Sequence, residues 1–265
     1  MSDQAYKTFD YIECRMSGGW QKASGNVITE QPVGLTVNGK VWLTLVSTPS
    51  ELEALAVGFL YNEGVVSKMD EIADIRVCPT RDNVDIWLNH PAEQPEHWMR
   101  TSGCMGGMTV DKPSQVNEIG WDGEKIEPLQ IVQIFREFIA SADMHNQAGG
   151  LHASALTDGK TILALVEDIG RHNTLDKIAG KILLEKIKPA KRIILTSGRV
   201  SSEMLQKSAR LQAEVIVSRT SPTSNSIMLA ENWGITLIGY ARGDRFTVYS
   251  HPERINLLLD GKDIL

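Results

Sequence analysis

The sequence predicts an α/β protein in two parts: a smaller strand-rich domain over residues 1–100 and a larger domain over residues 113–265 in which strands alternate with helices. Three observations carry this expectation. Gly34 to Leu43 alternates apolar and polar residues around Asn38-Gly39, the pair a type I′ hairpin turn selects because both central residues need φ > 0. In the second half, short apolar runs alternate with helical spacings, the pattern of parallel strands joined by right-handed crossovers. Between the two parts, His90 to Trp98 holds Pro91 and Pro95 with little periodicity, as a surface linker does. A glycine-rich loop follows within residues 101–112 and carries Cys104.

The elements follow in order. Thr48-Pro49-Ser50-Glu51 has the form of a capping box with proline at the first helical position. Leu52, Leu55, Ala56, Phe59 and Leu60 then share one helical face, and Gly64 can end the helix. Ile75/Val77 and Val84/Ile86/Leu88 read as two strands around a polar turn. A helix is expected after Pro128, with Ile131, Phe135, Phe138 and Ile139 at helical spacing. Strand Thr161–Val166, helix His172–Ile187, strand Ile193–Leu195, a helix from Ser201, strand Val215–Val217, a helix near Ser224 and strand Ile235–Ile238 complete the chain.

Composition limits the function. The 265 residues, 42% hydrophobic, are enough to bury a sizeable core. The formal net charge of -6 leaves no global basic field for nucleic acid. A polyanionic ligand must therefore be held locally, by backbone N–H groups and a few arginines. No apolar run reaches the roughly 18 residues of a membrane span, and the start Met1-Ser2-Asp3-Gln4 is polar, so a cytoplasmic protein is expected. The three cysteines are too few and too odd for a disulfide framework, and no paired spacing suggests a bound metal. Cys14 and Cys78 sit in strand-like runs and read as sheet or core cysteines. Cys104 stands apart, because flanking glycines permit mobility and close approach of a partner.

Four further segments have the residue types of a site. In Gly149-Gly150-Leu151-His152-Ala153-Ser154, His152 after a glycine pair can orient a ligand or move a proton. Glu167-Asp168-Ile169-Gly170-Arg171-His172 follows a strand and opens a helix, where α/β sheets place their sites. Thr196-Ser197-Gly198-Arg199-Val200-Ser201-Ser202 is again strand, turn and helix. Its N–H groups and the hydroxyls of Ser197, Ser201 and Ser202 can hold a phosphate, with Arg199 adding charge. In Gly239-Tyr240-Ala241-Arg242-Gly243-Asp244-Arg245, two arginines beside a tyrosine can grip phosphates and stack on a base. The His152 segment has the outline of a zinc deaminase motif, but Ser154 stands where the glutamate proton shuttle would be, and the Ser197–Ser202 turn lacks the cysteine ligands. Metal-hydroxide deamination is therefore disfavoured.

Gly149 to Ala153, Glu167-Asp168-Ile169-Gly170-Arg171-His172-Asn173-Thr174-Leu175-Asp176-Lys177, Thr196 to Met204 and Thr247-Val248-Tyr249-Ser250-His251-Pro252 together resemble the formate dehydrogenase accessory sulfurtransferase family (FdhD). The resemblance spans nearly the whole chain and is densest from Gly149 to Arg254. It implies a cytidine-deaminase-like C-terminal domain. It also implies a protein that takes persulfide sulfur from a cysteine desulfurase and passes it to the molybdenum bis(guanine dinucleotide) cofactor (or its tungsten form) needed by formate dehydrogenase. No permanently bound metal is implied, and a homodimer is left open. The family's mobile-loop cysteine matches Cys104, and its cofactor-binding stretch falls on Tyr240, Ala241, Arg242, Gly243, Asp244 and Arg245. Ser197, Gly198, Arg199, Ser201 and Ser202 would help hold the guanine nucleotide, with His152, Asp168, Arg171 and His172 lining the pocket. Many relatives carry Cys-x-x-Cys in this loop. Here Gly107 takes the second position, so a persulfide would travel on a single thiol. The rival from another class is a chaperone that binds the cofactor but moves no sulfur.

Overall fold

The computed structural model describes residues 5–94, 98–100, 108–110, 118–256, 258–259 and 262–263. The first region opens on a long antiparallel hairpin, β1 (Tyr6–Arg15) and β2 (Gly19–Ile28), paired from Tyr6↔Ile28 to Arg15↔Gly19. Next come β3 (Gln31–Val37), β4 (Lys40–Ser47), helix α1 (Leu52–Asn62), β5 (Ile72–Val77) and β6 (Asn83–Leu88). They form a small sheet in the order β4-β3-β6-β5, with β3 and β6 parallel. The turn between β3 and β4 is the one expected, with φ of 49° at Asn38 and 78° at Gly39. Asn38 also ties this hairpin to β6, accepting from the Leu88 N–H at 2.8 Å.

One short antiparallel pair, β7 (Trp98–Arg100) with β8 (Met108–Val110), flanks the glycine-rich loop. Cys104 lies outside the described residues. The second region holds α2 (Pro128–Ala140), α3 (Asp143–Ala148), β9 (His152–Thr157), β10 (Ile162–Asp168), α4 (Arg171–Leu184), β11 (Ile193–Thr196), α5 (Ser202–Arg210), β12 (Val215–Ser218), α6 (Ser224–Trp233), β13 (Thr236–Arg242) and β14 (Arg245–Val248). A final pair, β15 (Leu258–Leu259) and β16 (Lys262–Asp263), ends the chain. The large sheet runs β10-β9-β11-β12-β13-β14. Strands β10, β11, β12 and β13 run in one direction, and β9 and β14 run against them. The sheet is therefore mixed, whereas strand–helix alternation had implied parallel pairing. The expected alternation begins only after β10, because β9 reaches β10 by a tight turn rather than a helix.

Strand alternation sorts the large sheet's side chains between two helix layers. Ala153, Ala155, Ile193, Leu195, Val215 and Val217 meet α2 through Ile131, Phe135 and Phe138. Leu156, Val166, Ile194 and Ile216 meet α4, α5 and α6 on the other face. Among the described residues no helix is long and apolar enough to cross a membrane.

Two expectations change at α1. Glu51 at its start has φ of 51° and the helix has no side-chain cap, so the Thr48–Glu51 capping box does not form. Thr48 is used elsewhere: its hydroxyl accepts from the Ile169 N–H at 3.2 Å, and its own N–H donates to Asp168 at 3.2 Å. The helix is also buried all round rather than along one face, because it is held between the small sheet and α4. Gly58 of α1 and Gly180 of α4 let the two backbones touch. A Cβ on Gly58 would overlap the Asp176 carbonyl, and one on Gly180 would overlap that of Ala54.

Candidate functional site

The strand registers bring the singled-out segments to one edge of the large sheet. His152 at the start of β9 lies opposite Asp168 at the end of β10, Ser154 lies opposite Thr196, and Thr196 opposite Ser218. The loops after β10, β11, β12 and β13 thus open on the same edge, where the parallel strands end.

Most of the Glu167–Lys177 run faces inward at this edge. Glu167 accepts from the N–H groups of Met144 and His145 at 2.9 and 2.7 Å, doing for α3 what a capping residue would. Asp168 is fully buried. Its carboxylate pairs with Lys177 at 2.7 Å and accepts from Asn173 Nδ2 and from the N–H groups of Gly170 and Thr48. It was expected to line the pocket; instead it locks the turn that carries Arg171. Asn173 donates to the Val46 carbonyl at 2.8 Å. Asp176 pairs with Lys207 at 2.6 Å and accepts from Asn62 at 2.7 Å. Asp168, Asn173, Asp176 and Lys177 clamp the strand-rich region onto the start of α4.

Arg171 and His172 face the edge itself. A methyl placed on Gly198 would stand 3.1 Å from Arg171 Cβ and 3.4 Å from His152 Nδ1, so these three residues share one spot. Burial, then Arg171 and His172, hold the His152 imidazole below its ordinary value. Burial also lowers His172, although the neighbouring Glu203 opposes it. Both imidazoles are thereby kept neutral. His172 Nε2 lies 3.1 Å from the Glu203 carboxylate. Ser154, by contrast, is buried within β9 and bonded to Thr174 at 2.7 Å.

The Ser197–Ser202 turn is less open than expected. The Ser197 hydroxyl accepts from Ala153, Ser201 caps α5 by accepting from Met204, and the N–H groups of Ser197, Gly198 and Val200 are already donated within the fold. Helix capping and strand pairing use the groups a phosphate cradle would need. Arg199 is exposed and Ser202 half-buried, and these two remain available to a ligand.

The Tyr240–Arg245 stretch forms a second part of the edge. A register shift between β13 and β14 gives Tyr240 a φ of 52°. Its N–H goes to the Thr220 carbonyl instead of β14, its ring turns outward, and Ala241 turns into the core. Beside it, Phe135, Arg136, Ile139, Ala140, Arg219, Ala241, Arg242 and Gly243 enclose a cleft of about 380 Å³. Arg136 Nε donates to the Gly243 carbonyl and Arg242 Nε to that of Arg219, each at 3.0 Å. The terminal guanidinium nitrogens of both have no partner among the described residues. The cleft thus has an apolar floor and three arginines at its rim. Asp244 and Arg245 are exposed at the β13–β14 turn.

Sequence reasoning missed Glu203, Arg219 and Arg136. Arg219 directly follows the strand ending at Ser218, and the rule that placed the other loops at strand ends would have found it. Glu203 lay inside a quoted motif but was not given a role. Arg136 lies on an amphipathic helix, where nothing in the sequence separates it from a solvated charge.

The architecture and this edge define a mixed α/β protein with neutral histidines and an arginine-rimmed cleft at its strand ends. Residues 28–256 match the model of the FdhD/NarQ family. The sulfur carrier protein FdhD of Bacillus subtilis (strain 168) is 34% identical, covering 90% of this chain and 93% of the relative. The protein of that name from Staphylococcus aureus (strain bovine RF122 / ET3-1) is 31% identical, covering 86% and 88%. A solved structure from Desulfotalea psychrophila, provisionally described as a formate dehydrogenase accessory protein, superposes with a TM-score of 0.80 at 29% identity, covering 95% of this chain and 99% of that one. The chain belongs to the FdhD/NarQ family.

Proposed function

We propose that this chain is a sulfur carrier in formate dehydrogenase maturation. It takes sulfur from a cysteine desulfurase onto Cys104 and passes it to the molybdenum bis(guanine dinucleotide) cofactor bound at the edge of the large sheet. The family and the names of its relatives support the carrier role. The observation that carries the ligand is the arginine-rimmed cleft. Guanidinium groups bind phosphates through paired, charge-assisted hydrogen bonds, and the apolar floor with the outward Tyr240 ring suits a purine. In this reading the second region is a cytidine-deaminase-like fold that keeps the nucleotide-sized site without the zinc chemistry.

The chemistry needs one thiolate. Cys104 sulfur attacks the outer sulfur of the desulfurase persulfide, the S–S bond breaks, and the desulfurase leaves as its own thiolate. The new Cys104 persulfide presents its terminal sulfur to the cofactor metal. The polar edge holds the guanine dinucleotide meanwhile, so binding and transfer reside in different segments.

The same cleft would serve a chaperone that moves no sulfur, and one variant separates the two. Cys104→Ala should keep guanosine diphosphate affinity by calorimetry yet leave formate dehydrogenase inactive in cells lacking the native accessory protein. Active formate dehydrogenase in those cells would overturn sulfur carriage and favour the chaperone. Unchanged nucleotide affinity in both Arg219→Ala and Arg242→Ala would move the ligand away from the cleft.

A further inference from the structure

The pair His172–Glu203 has no part in the clamp, and Glu203 has so far been given no role. Helix α4 begins at Arg171 and α5 at Ser202, so both side chains lie in the first turn of helices that start on the same edge. His172 Nε2 and Glu203 Oε2 are 3.1 Å apart and sealed from solvent, and as placed neither completes a hydrogen bond, to the other or to any further described residue. Two buried, unsatisfied groups at this distance can satisfy each other by a small turn of the ring, and only if the imidazole nitrogen carries the proton, since the carboxylate can only accept. Across the ring, Nδ1 makes no hydrogen bond to any described residue.

We infer that Glu203 is a positioning residue: it holds His172 as the Nε2–H tautomer and so presents Nδ1 as a hydrogen-bond acceptor to the ligand at this edge. A carboxylate behind an imidazole fixes tautomer and ring orientation together. The surroundings support this assignment of charge. Arg171 on α4 and Lys207 on α5 oppose protonation of His172, and Glu203 favours it. The His172 contact in turn lowers Glu203. On the β9 and β10 side, His152 is itself held neutral, and Asp168 acts on it from behind. The arrangement is therefore an ionised Glu203 facing a neutral His172. That Nδ1 meets a guanine nucleotide rests on the function proposed above; the tautomer does not.

Two readouts on the full chain decide the matter. Nitrogen-15 spectra at pH 7.5, assigned by the loss of signals in His172→Gln, should show the Nε2–H tautomer in the wild type and a mixture in Glu203→Ala. Glu203→Gln and Glu203→Asp keep an acceptor oxygen and should retain the tautomer, which covers the case in which the alanine variant does not fold. Guanosine diphosphate affinity should weaken on the order of threefold to tenfold in Glu203→Ala, the worth of one neutral hydrogen bond. Its decline in acid should move to lower pH in Glu203→Gln, because the carboxylate that raised the His172 value is gone. A wild-type Nδ1–H tautomer, or an unmoved acid decline in Glu203→Gln, would overturn the positioning role. Absence of nucleotide binding in the wild type would defeat the proposed ligand, while the tautomer spectrum would still decide for or against the pair.

Discussion

The seam where α1 meets α4 and the edge of the large sheet treat charge in opposite ways. At the seam, Asp168, Lys177, Asp176 and Lys207 are buried and matched to one another at 2.6 to 2.7 Å. At the edge, Arg219, Arg242 and Arg245 are exposed and make no ion pair with any described residue. Buried, paired charges specify how two layers meet, and removing one partner leaves an uncompensated ion. Open charges around an apolar floor add little to the fold and wait for a ligand of opposite sign. Substitutions at the two places should therefore fail differently, the first in stability and the second in binding.

The largest effect is expected where the seam has no room. Gly58→Ala would drive a methyl into the Asp176 carbonyl and should cost on the order of 4 kcal/mol or more in denaturant unfolding, with little soluble protein. A fully stable Gly58→Ala protein would mean that α1 and α4 are not in backbone contact. Next, Lys177→Met should destabilise by about 3–5 kcal/mol by stranding the buried Asp168 carboxylate. The double variant Lys177→Met/Asp168→Asn should recover part of that loss, and whatever folds should bind guanosine diphosphate with ordinary affinity. At the edge the order reverses. Arg219→Ala and Arg242→Ala should shift the unfolding midpoint by no more than about 0.5 kcal/mol and weaken nucleotide binding by about 1.5–3 kcal/mol each.

The smallest effect is that of pH. His152 and His172 have folded values below the ordinary 6.5, so just below that pH the unfolded chain takes up protons that the native protein refuses. Stability should therefore fall as pH drops below about 6.5. Glu203, also lowered from its ordinary 4.5, adds to the loss only at still lower pH. His172→Gln should flatten the decline between pH 7.5 and 5.5 in thermal unfolding. An unchanged slope would show that His172 is not held neutral by its surroundings.

Much of this was legible in the sequence, and the gaps have physical causes. Asn38-Gly39, the helix after Pro128 and the alternation from Ile193 to Ile238 were readable because turn chemistry and apolar spacing are local. The β1–β2 hairpin was not, because both its faces are largely exposed and carry no sustained apolar alternation. Strand β9 was hidden beneath a motif that looked catalytic. The Glu167–Lys177 run was recognised as special, but sequence could not divide it. Whether an aspartate faces a ligand or a buried lysine depends on Thr48 and Asn62, which lie more than a hundred residues away. Arg136 and Arg219 join one cleft only through tertiary packing, for the same reason.

The account stands or falls on where sulfur is carried, and intact-mass spectrometry after incubation with a cysteine desulfurase and cysteine reads that directly. The wild-type chain should gain about 32 Da per sulfur atom, removable by reductant, and peptide mapping should place it on Cys104, with none retained by Cys104→Ala. Sulfur found only on Cys14 or Cys78, or no gain at all, would contradict it.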